Sequence, residues 1–253
     1  MSEEQKQQEL KFPSEVIELP SEGKCYPEGS PLREGKLEIK YMTAREEDIL
    51  TSANLIKKGV VIDKLLDSLI VTPGVTCDNL VLGDKNAVMV AARVLAYGPE
   101  YECEVTDPRT GNSINTVINL ADCPFKNLPK GANSNEFKVK LPVSKQEVVF
   151  KLLTGIEEKQ IKEEIEGSKK LGTQVVPELT TRLRNSIVSI DGSNDRSTIN
   201  QLVINMLARD SLFLRNEMKK VSPDIELQQE IEIEGETVKV DIPMTVNFFW
   251  PQS

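Results

Sequence analysis

The stretch Leu37–Ile70, LEIKYMTAREEDILTSANLIKKGVVIDKLLDSLI, changes its hydrophobic period midway, and that change decides the fold class. Leu37, Ile39 and Tyr41 alternate with Glu38, Lys40 and Met42, the pattern of a half-buried strand. Thr43 then precedes Glu46 by three residues, the spacing of a capping box that satisfies two orphan amides at a helix start. Glu46, Glu47 and Asp48 place negative charge at the positive end of that helix. Ile49, Ala53 and Ile56 recur at i, i+4 and i+7 and predict a core-facing stripe, closed by Lys57, Lys58 and a left-handed Gly59. Ile62, Leu65, Leu66 and Leu69 predict a second helix. A strand feeding a helical hairpin predicts an α+β protein, with short antiparallel hairpins flanking helical hairpins.

The residues before this stretch carry short words in an unusual order. Glu18–Lys24 reads ELPSEGK, Tyr26–Gly29 reads YPEG, and Leu32–Gly35 reads LREG, leading into Tyr41–Asp48, YMTAREED. This series resembles the baseplate protein family of T4-like contractile-tailed phages, and within it the hub-assembly members. The likeness runs over Val16–Leu153, weakens through the helical middle and returns at Pro243–Pro251. It implies a part or a helper in tail building, not an enzyme. The partners it implies are other hub, tape-measure or tail proteins, met in the host cytoplasm during assembly.

Composition sets the outer bounds. A chain of 253 residues, 39% hydrophobic and 28% charged, can bury a substantial core beneath a polar surface. A net charge of −9 argues against broad binding to nucleic acid or an anionic bilayer. Lys169-Lys170 and Lys219-Lys220 read as solvated helix ends. No run approaches the roughly 20 apolar residues of a membrane span. MSEEQKQQELK lacks the basic start and apolar block of a signal peptide and predicts a polar, disordered lead over residues 1–12. Beyond it we expect an N-terminal α+β region over 13–153, a helical region over 154–222, and a C-terminal hairpin with a terminal strand over 223–253.

Histidine is absent, which removes His-based triads, His metal sites and His pH switches. Cys25, Cys77, Cys103 and Cys123 stand singly, without a C-x-x-C, and are expected as free thiols with no metal or other cofactor. Phosphate chemistry lacks its Gly-rich loop, and no serine sits in G-x-S-x-G. The pairs Glu157-Glu158 and Glu163-Glu164 are adjacent, so on a helix they diverge and form no carboxylate dyad. A hydrolase of cell wall or glycans using distant carboxylates stays open, although 5% aromatic content is meagre for a sugar-stacking cleft. No catalytic residue is assigned.

Along the chain, Val16–Leu19 predicts a short strand, and Pro20–Gly35, with three prolines and three glycines, an ordered surface loop or a partner-binding loop. Asp84 is expected to cap a third helix with Val88, Ala91, Ala92 and Leu95 inward and Gly98 at its end. Tyr101–Leu120 predicts a hairpin about Asp107–Gly111, and Ile225–Ile242 another about Gly235. The pair looks like the arms of a degenerate zinc ribbon. Relatives in the resembled family can carry cysteines at those turns; here the turns read DPRTG and EIEGE, without ligands. Phe137–Leu141 and Val148–Leu152 predict a further ribbon, Gly155–Gly167 a charged helix, and Pro177–Ile190 and Ser197–Val221 helices, the last started by Asp195. Asp191–Asp195 lacks the glycine and glutamate of a calcium loop and reads as a capping turn.

Phe248, Phe249 and Trp250, which include the only tryptophan, are the candidate partner-binding residues. The favoured expectation is a terminal strand docked into the protein's own core, with Val246, Phe248 and Trp250 on one side. The alternative is an aromatic anchor for a tail partner. Three functions follow: a hub-assembly factor that leaves after building, a permanent baseplate subunit, or the hydrolase. The direct partner, copy number and oligomeric state stay open.

Overall fold

A computed structural model of the chain describes residues 12–170, 176–233, 235–244 and 246–249; residues 1–11, Trp250 and Pro251 lie outside them. The fold is α+β, with small antiparallel sheets and helices.

Strand β1 (Ser14–Glu18) pairs antiparallel with β2 (Lys36–Lys40), whose Leu37 and Ile39 turn into the core. The intervening loop is anchored at its buried Leu19, Tyr26 and Leu32, while Glu22, Pro27–Gly29, Pro31 and Glu34 stay exposed. Its backbone is closed by a 3-10 turn at Pro31–Glu34, ended by Gly35 at φ 72°. The Arg33 guanidinium donates to the carbonyls of Lys24 and Tyr26 at 3.0 and 3.1 Å.

Helix α1 (Ala44–Thr51) starts at the expected capping box, and the buried Glu46 also takes Lys40 Nζ at 2.8 Å. Burial alone would raise the Glu46 carboxyl, but Lys40 and Thr43 hold it below the ordinary value. The Ile49–Ala53–Ile56 stripe is not formed. Ser52 leaves the helical region at ψ 102°, so α2 (Ala53–Lys58) sets off separately. Leu50 is the buried residue, and Ala53 and Ile56 are exposed. Gly59 does adopt the left-handed cap, at φ 66°. Helix α3 (Val61–Leu69) buries Leu65, Leu66 and Leu69, and α4 (Leu82–Tyr97) buries Val88 and Ala92 beside them.

The two expected hairpins form, the first from β3 (Glu100–Thr106) with β4 (Ser113–Asn119) and the second near the C-terminal end about Gly235. Strand β5 (Phe125–Lys126) is a short piece after the first of them. The ribbon β6 (Phe137–Lys140) and β7 (Glu147–Phe150) follows as predicted, then the charged helix α5 (Gly155–Lys170) with Ile161 and Ile165 buried. Helix α6 (Glu178–Ser186) is shorter than expected, because Ile187–Ile190 is strand β8, paired with β7. Ile187, Val188 and Ile190 are β-branched, and β7 offers them a free edge with an apolar face.

The long C-terminal helix is likewise two, α7 (Arg196–Asn205) and α8 (Ala208–Val221), broken where Met206 and Leu207 are extended. Asp195 caps α7, accepting the Thr198 amide at 2.8 Å. Strand β9 (Asp224–Ile225) pairs with β5, and β10 (Gln228–Ile233) and β11 (Glu236–Asp241) make the second hairpin.

Two clusters of buried side chains result. The first joins both chain ends, from Leu19 through α3, α4 and β3 to Ile242, Phe248 and Phe249. The second is continuous in sequence: Leu141, Val148, Phe150, Leu183, Ile187, Ile199, Val203 and Leu214. Phe137 and Val221 pack against both, and close backbone approaches lie nearby. A Cβ on Gly83 would collide with the Pro223 carbonyl oxygen, and one on Gly155 would lie 2.8 Å from Asp78 Cα.

Candidate partner-binding surface

Helix α4 organises the first core through one charged residue near each end. Asp84, its third residue, is fully buried, so it is not the expected cap. The Ser21 amide donates to Oδ1 at 2.9 Å, and the Ser21 and Tyr26 hydroxyls donate to Oδ2, each at 2.5 Å. The Tyr26 oxygen in turn accepts the Val81 amide at 3.2 Å. Burial pushes the Asp84 carboxyl above its ordinary value, although these hydrogen bonds oppose it. The same burial, with Asp84 nearby, pushes the Cys25 thiol up to about 12. These buried hydroxyls fasten the loop to the helix.

Arg93, near the other end, is also buried and donates to backbone carbonyls. Its Nε donates to Phe248 O at 3.0 Å and its Nη1 to Gly98 O at 3.1 Å, and its guanidinium lies 5.0 Å from the Tyr97 ring centre. An acid near the N-terminus and a base near the C-terminus both suit the helix dipole.

The C-terminal aromatics pack on this end of α4. Val246–Phe249 is a 3-10 turn, not the expected strand. Phe248 and Phe249 are both buried, so they do not fall on opposite faces as a strand would place them. The Phe248 ring meets Tyr101 edge-on at 5.0 Å and Phe249 at 5.3 Å, while the Tyr101 hydroxyl donates to Pro243 O at 3.2 Å. In this conformation neither ring presents a surface to a partner. Trp250 lies outside the described residues.

The two hairpins lie against each other, with Arg109 of one paired to Glu236 of the other; Gln229 Nε2 of the second donates to Cys123 Sγ, just beyond the first, at 3.6 Å. All four cysteines are free and buried. Among the described residues no group of three Cys, Asp or Glu side chains could hold a metal ion, and no helix is long and apolar enough to cross a membrane.

An open apolar groove of about 250 Å³ lies where the two cores meet. Val81, Leu152 and Leu183 form its buried floor, while Leu82 and Leu179 stand on it 61% and 44% exposed. Lys151, Arg182 and Arg215 line it, as do Glu158 and Asp224. The Arg182 guanidinium holds both carboxylate oxygens of Glu158, at 2.7 and 2.6 Å, which ties α6 to α5. Lys151 pairs with Glu157; burial would raise that carboxyl, but Lys151 and the Thr154 amide hold it below the ordinary value. Asp224 accepts Asn86 Nδ2 at 3.0 Å. The Arg215 side chain is exposed and makes no ion pair or hydrogen bond among the described residues.

A family model described as T4 bacteriophage base plate protein matches residues 13–141, just over half of the chain. The chain belongs to that family. No curated protein and no solved structure matches it. A baseplate-related role, among other phage tail and baseplate proteins, follows from this membership. The base plate match ends directly after β6, so the groove is shared. Val81, Leu82 and Gly83 come from the matched segment, and Lys151, Leu179, Arg182 and Arg215 from beyond it.

The sequence reading did not find these residues. Arg93 has a visible signal, a lone charge within the apolar run Ala87–Ala96. Leu82 and Leu179 carry none, since single apolar residues at helix starts are ordinary.

Proposed function

We propose that this base plate family member is a hub-assembly factor, chaperone-like, that holds another hub or tape-measure protein while the tail is built in the host cytoplasm. The groove between the cores supports this reading. Leu82 and Leu179 stand exposed together over one apolar floor, and they suit a surface that a partner covers. The volume, about 250 Å³, falls below the roughly 300–1,000 Å³ typical of small-molecule sites, which favours side-chain anchors over a substrate. The reading is a non-catalytic one, and the Ser21 and Tyr26 hydroxyls on Asp84 are closed off from solvent.

A mass-spectrometric inventory of purified virions against infected-cell lysate tests the proposal. Presence in the lysate and absence from virions is expected. Stoichiometric presence in virions would overturn it in favour of a permanent baseplate subunit. Turnover of a cell-wall substrate, lost on changing one carboxylate, would overturn it in favour of a hydrolase.

A further inference from the structure

We propose that the free edge of β1 pairs with β1 of a second copy of this chain, antiparallel about a two-fold axis at Val16, so that the β1–β2 ribbon continues across two molecules. The proposal goes beyond the partner-binding reading above and does not depend on it.

The register within the chain decides which backbone groups are spare. The Tyr41 amide donates to the Pro13 carbonyl at 3.0 Å and the Leu19 amide to the Gly35 carbonyl at 2.9 Å, with Glu15 opposite Ile39 and Ile17 opposite Leu37 between them. Bonded pairs alternate along an antiparallel ladder, so the N–H and C=O groups of Ser14, Val16 and Glu18 point away from β2. Among the described residues no strand pairs with that edge, and Ser14, Val16 and Glu18 are all exposed. The far edge of β2 differs: there the Val71 amide donates to the Glu38 carbonyl at 3.0 Å, and the Glu38 amide donates to Thr72 Oγ1 at 2.9 Å.

An open row of backbone groups takes another strand, and the side chains choose which. With Val16 opposite Val16 of the second copy, Ser14 meets Glu18 and Glu15 meets Ile17, so no two carboxylates face each other. The outward groups of each β1 then bond to those of the other. Val16, 60% exposed, gains a β-branched cross-strand neighbour. Glu18 stands between Lys36 of its own β2 and the uncharged Ser14 of the second copy. The adjacent registers fail. An axis at Glu15 sets Glu15 against Glu15, and an axis at Ile17 sets Ser14 against Pro20, which has no N–H to donate. The chain's own preceding residues do not suit the edge, because a two-residue hairpin through Phe12-Pro13 needs positive φ. A two-fold pairing of this kind closes at two copies.

Sedimentation velocity of the full-length chain, from low to high micromolar concentration, should show monomer passing to dimer, since one short strand edge makes a small interface. Val16→Pro removes an outward N–H that faces solvent in the monomer, and should abolish the dimer without changing the secondary structure of the monomer. Val16→Lys, at the same exposed position, sets two ammonium groups together and should weaken the dimer by about tenfold. It carries the test if Val16→Pro fails to fold. The register is read by cross-linking, the four native cysteines being buried. Chains with Ser14→Cys and chains with Glu18→Cys should form a disulfide when mixed and neither when oxidised alone, because only the mixture brings the two to the ~5.5 Å Cα separation of a bonded pair.

A chain that stays monomeric throughout, a dimer indifferent to both Val16 variants, or Ser14→Cys cross-linking to itself would each overturn the proposal. A dimer lost on deleting residues 1–11 but kept in Val16→Pro would also overturn it. The virion inventory is independent of this result, since a departing factor and a permanent subunit can each be dimeric.

Discussion

Two aspartates use the same position for the same task with different donors. Asp84 is the third residue of α4 and fastens the β1–β2 loop; Asp210 is the third residue of α8 and fastens the β6–β7 turn. Asp84 takes two hydroxyls and one amide. Asp210 takes two amides, from Val143 at 2.8 Å and Ser144 at 3.0 Å. The surroundings differ as well. Asp84 sits in a core that closes only when both chain ends arrive, while Asp210 serves a core whose buried residues run from Leu141 to Leu214. A shared local device therefore does not give the two cores a shared dependence on the rest of the chain.

The sharpest way to break that contrast is Phe248→Ala. Loss of a fully buried ring should cost about 3–5 kcal/mol. The cost should fall on the first core alone, so hydrogen exchange should quicken in α4 and stay unchanged in β7. Equal quickening in both would mean that the two cores unfold as one unit.

Next in size is the pair of aspartate deletions. Asp84→Ala strands the Ser21 amide and two buried hydroxyls and should cost about 2–4 kcal/mol. Asp210→Ala strands two turn amides that water can reach more readily, and should cost about 1–2 kcal/mol. Denaturant melts of the purified variants measure both. A larger loss at Asp210 would reverse the ranking of the two devices.

Gly83→Ala probes the joint between the cores. An added methyl must push Pro223 away, at about 1–3 kcal/mol, and should also distort the groove beside it. Chemical denaturation with unchanged stability would show that the joint yields freely.

Where the sequence was legible, the signal was local. The Leu37–Ile39 alternation, the Thr43–Glu46 box, Gly59 and both hairpins are all written within a few residues, and all are present. The failures share a different cause. Ile187–Ile190 became a strand because β7 stands beside it, and the Ser21–Tyr26 part of the Pro20–Gly35 loop is drawn inward by Asp84, 63 residues from Ser21. The C-terminal turn curls because Arg93 claims the Phe248 carbonyl across 155 residues. The groove was illegible for the same reason, as its two walls come from segments nearly 100 residues apart (Leu82 and Leu179).

The smallest expected effect is the most specific to the comparison, because the two aspartates should respond to acid with opposite signs. For Asp210, burial alone would raise the carboxyl, but the Ser144 and Val143 amides, with Lys145 nearby, hold it below the ordinary value. Its contribution is thus complete above the unfolded value of about 3.9 and fades as pH falls through the lower folded value. For Asp84, burial outweighs the Ser21 and Tyr26 hydrogen bonds, and Asp224 adds to the rise. The folded state then binds a proton more readily than the unfolded one, so the first core gains stability as pH falls through the raised folded value. That gain is complete below about 3.9. Hydrogen exchange in α4 and α8, corrected for the intrinsic pH dependence of exchange, reads both signs in one protein. Asp84→Asn should flatten the α4 response between neutral pH and about pH 4 and leave α8 alone. Asp210→Asn should flatten the α8 response below that point. An α4 that loses protection as pH falls toward 4, and loses it less in Asp84→Asn, would show the buried carboxylate to be stabilised by its hydroxyl donors as strongly as Asp210 is by its amides, and the contrast between the two devices would be gone.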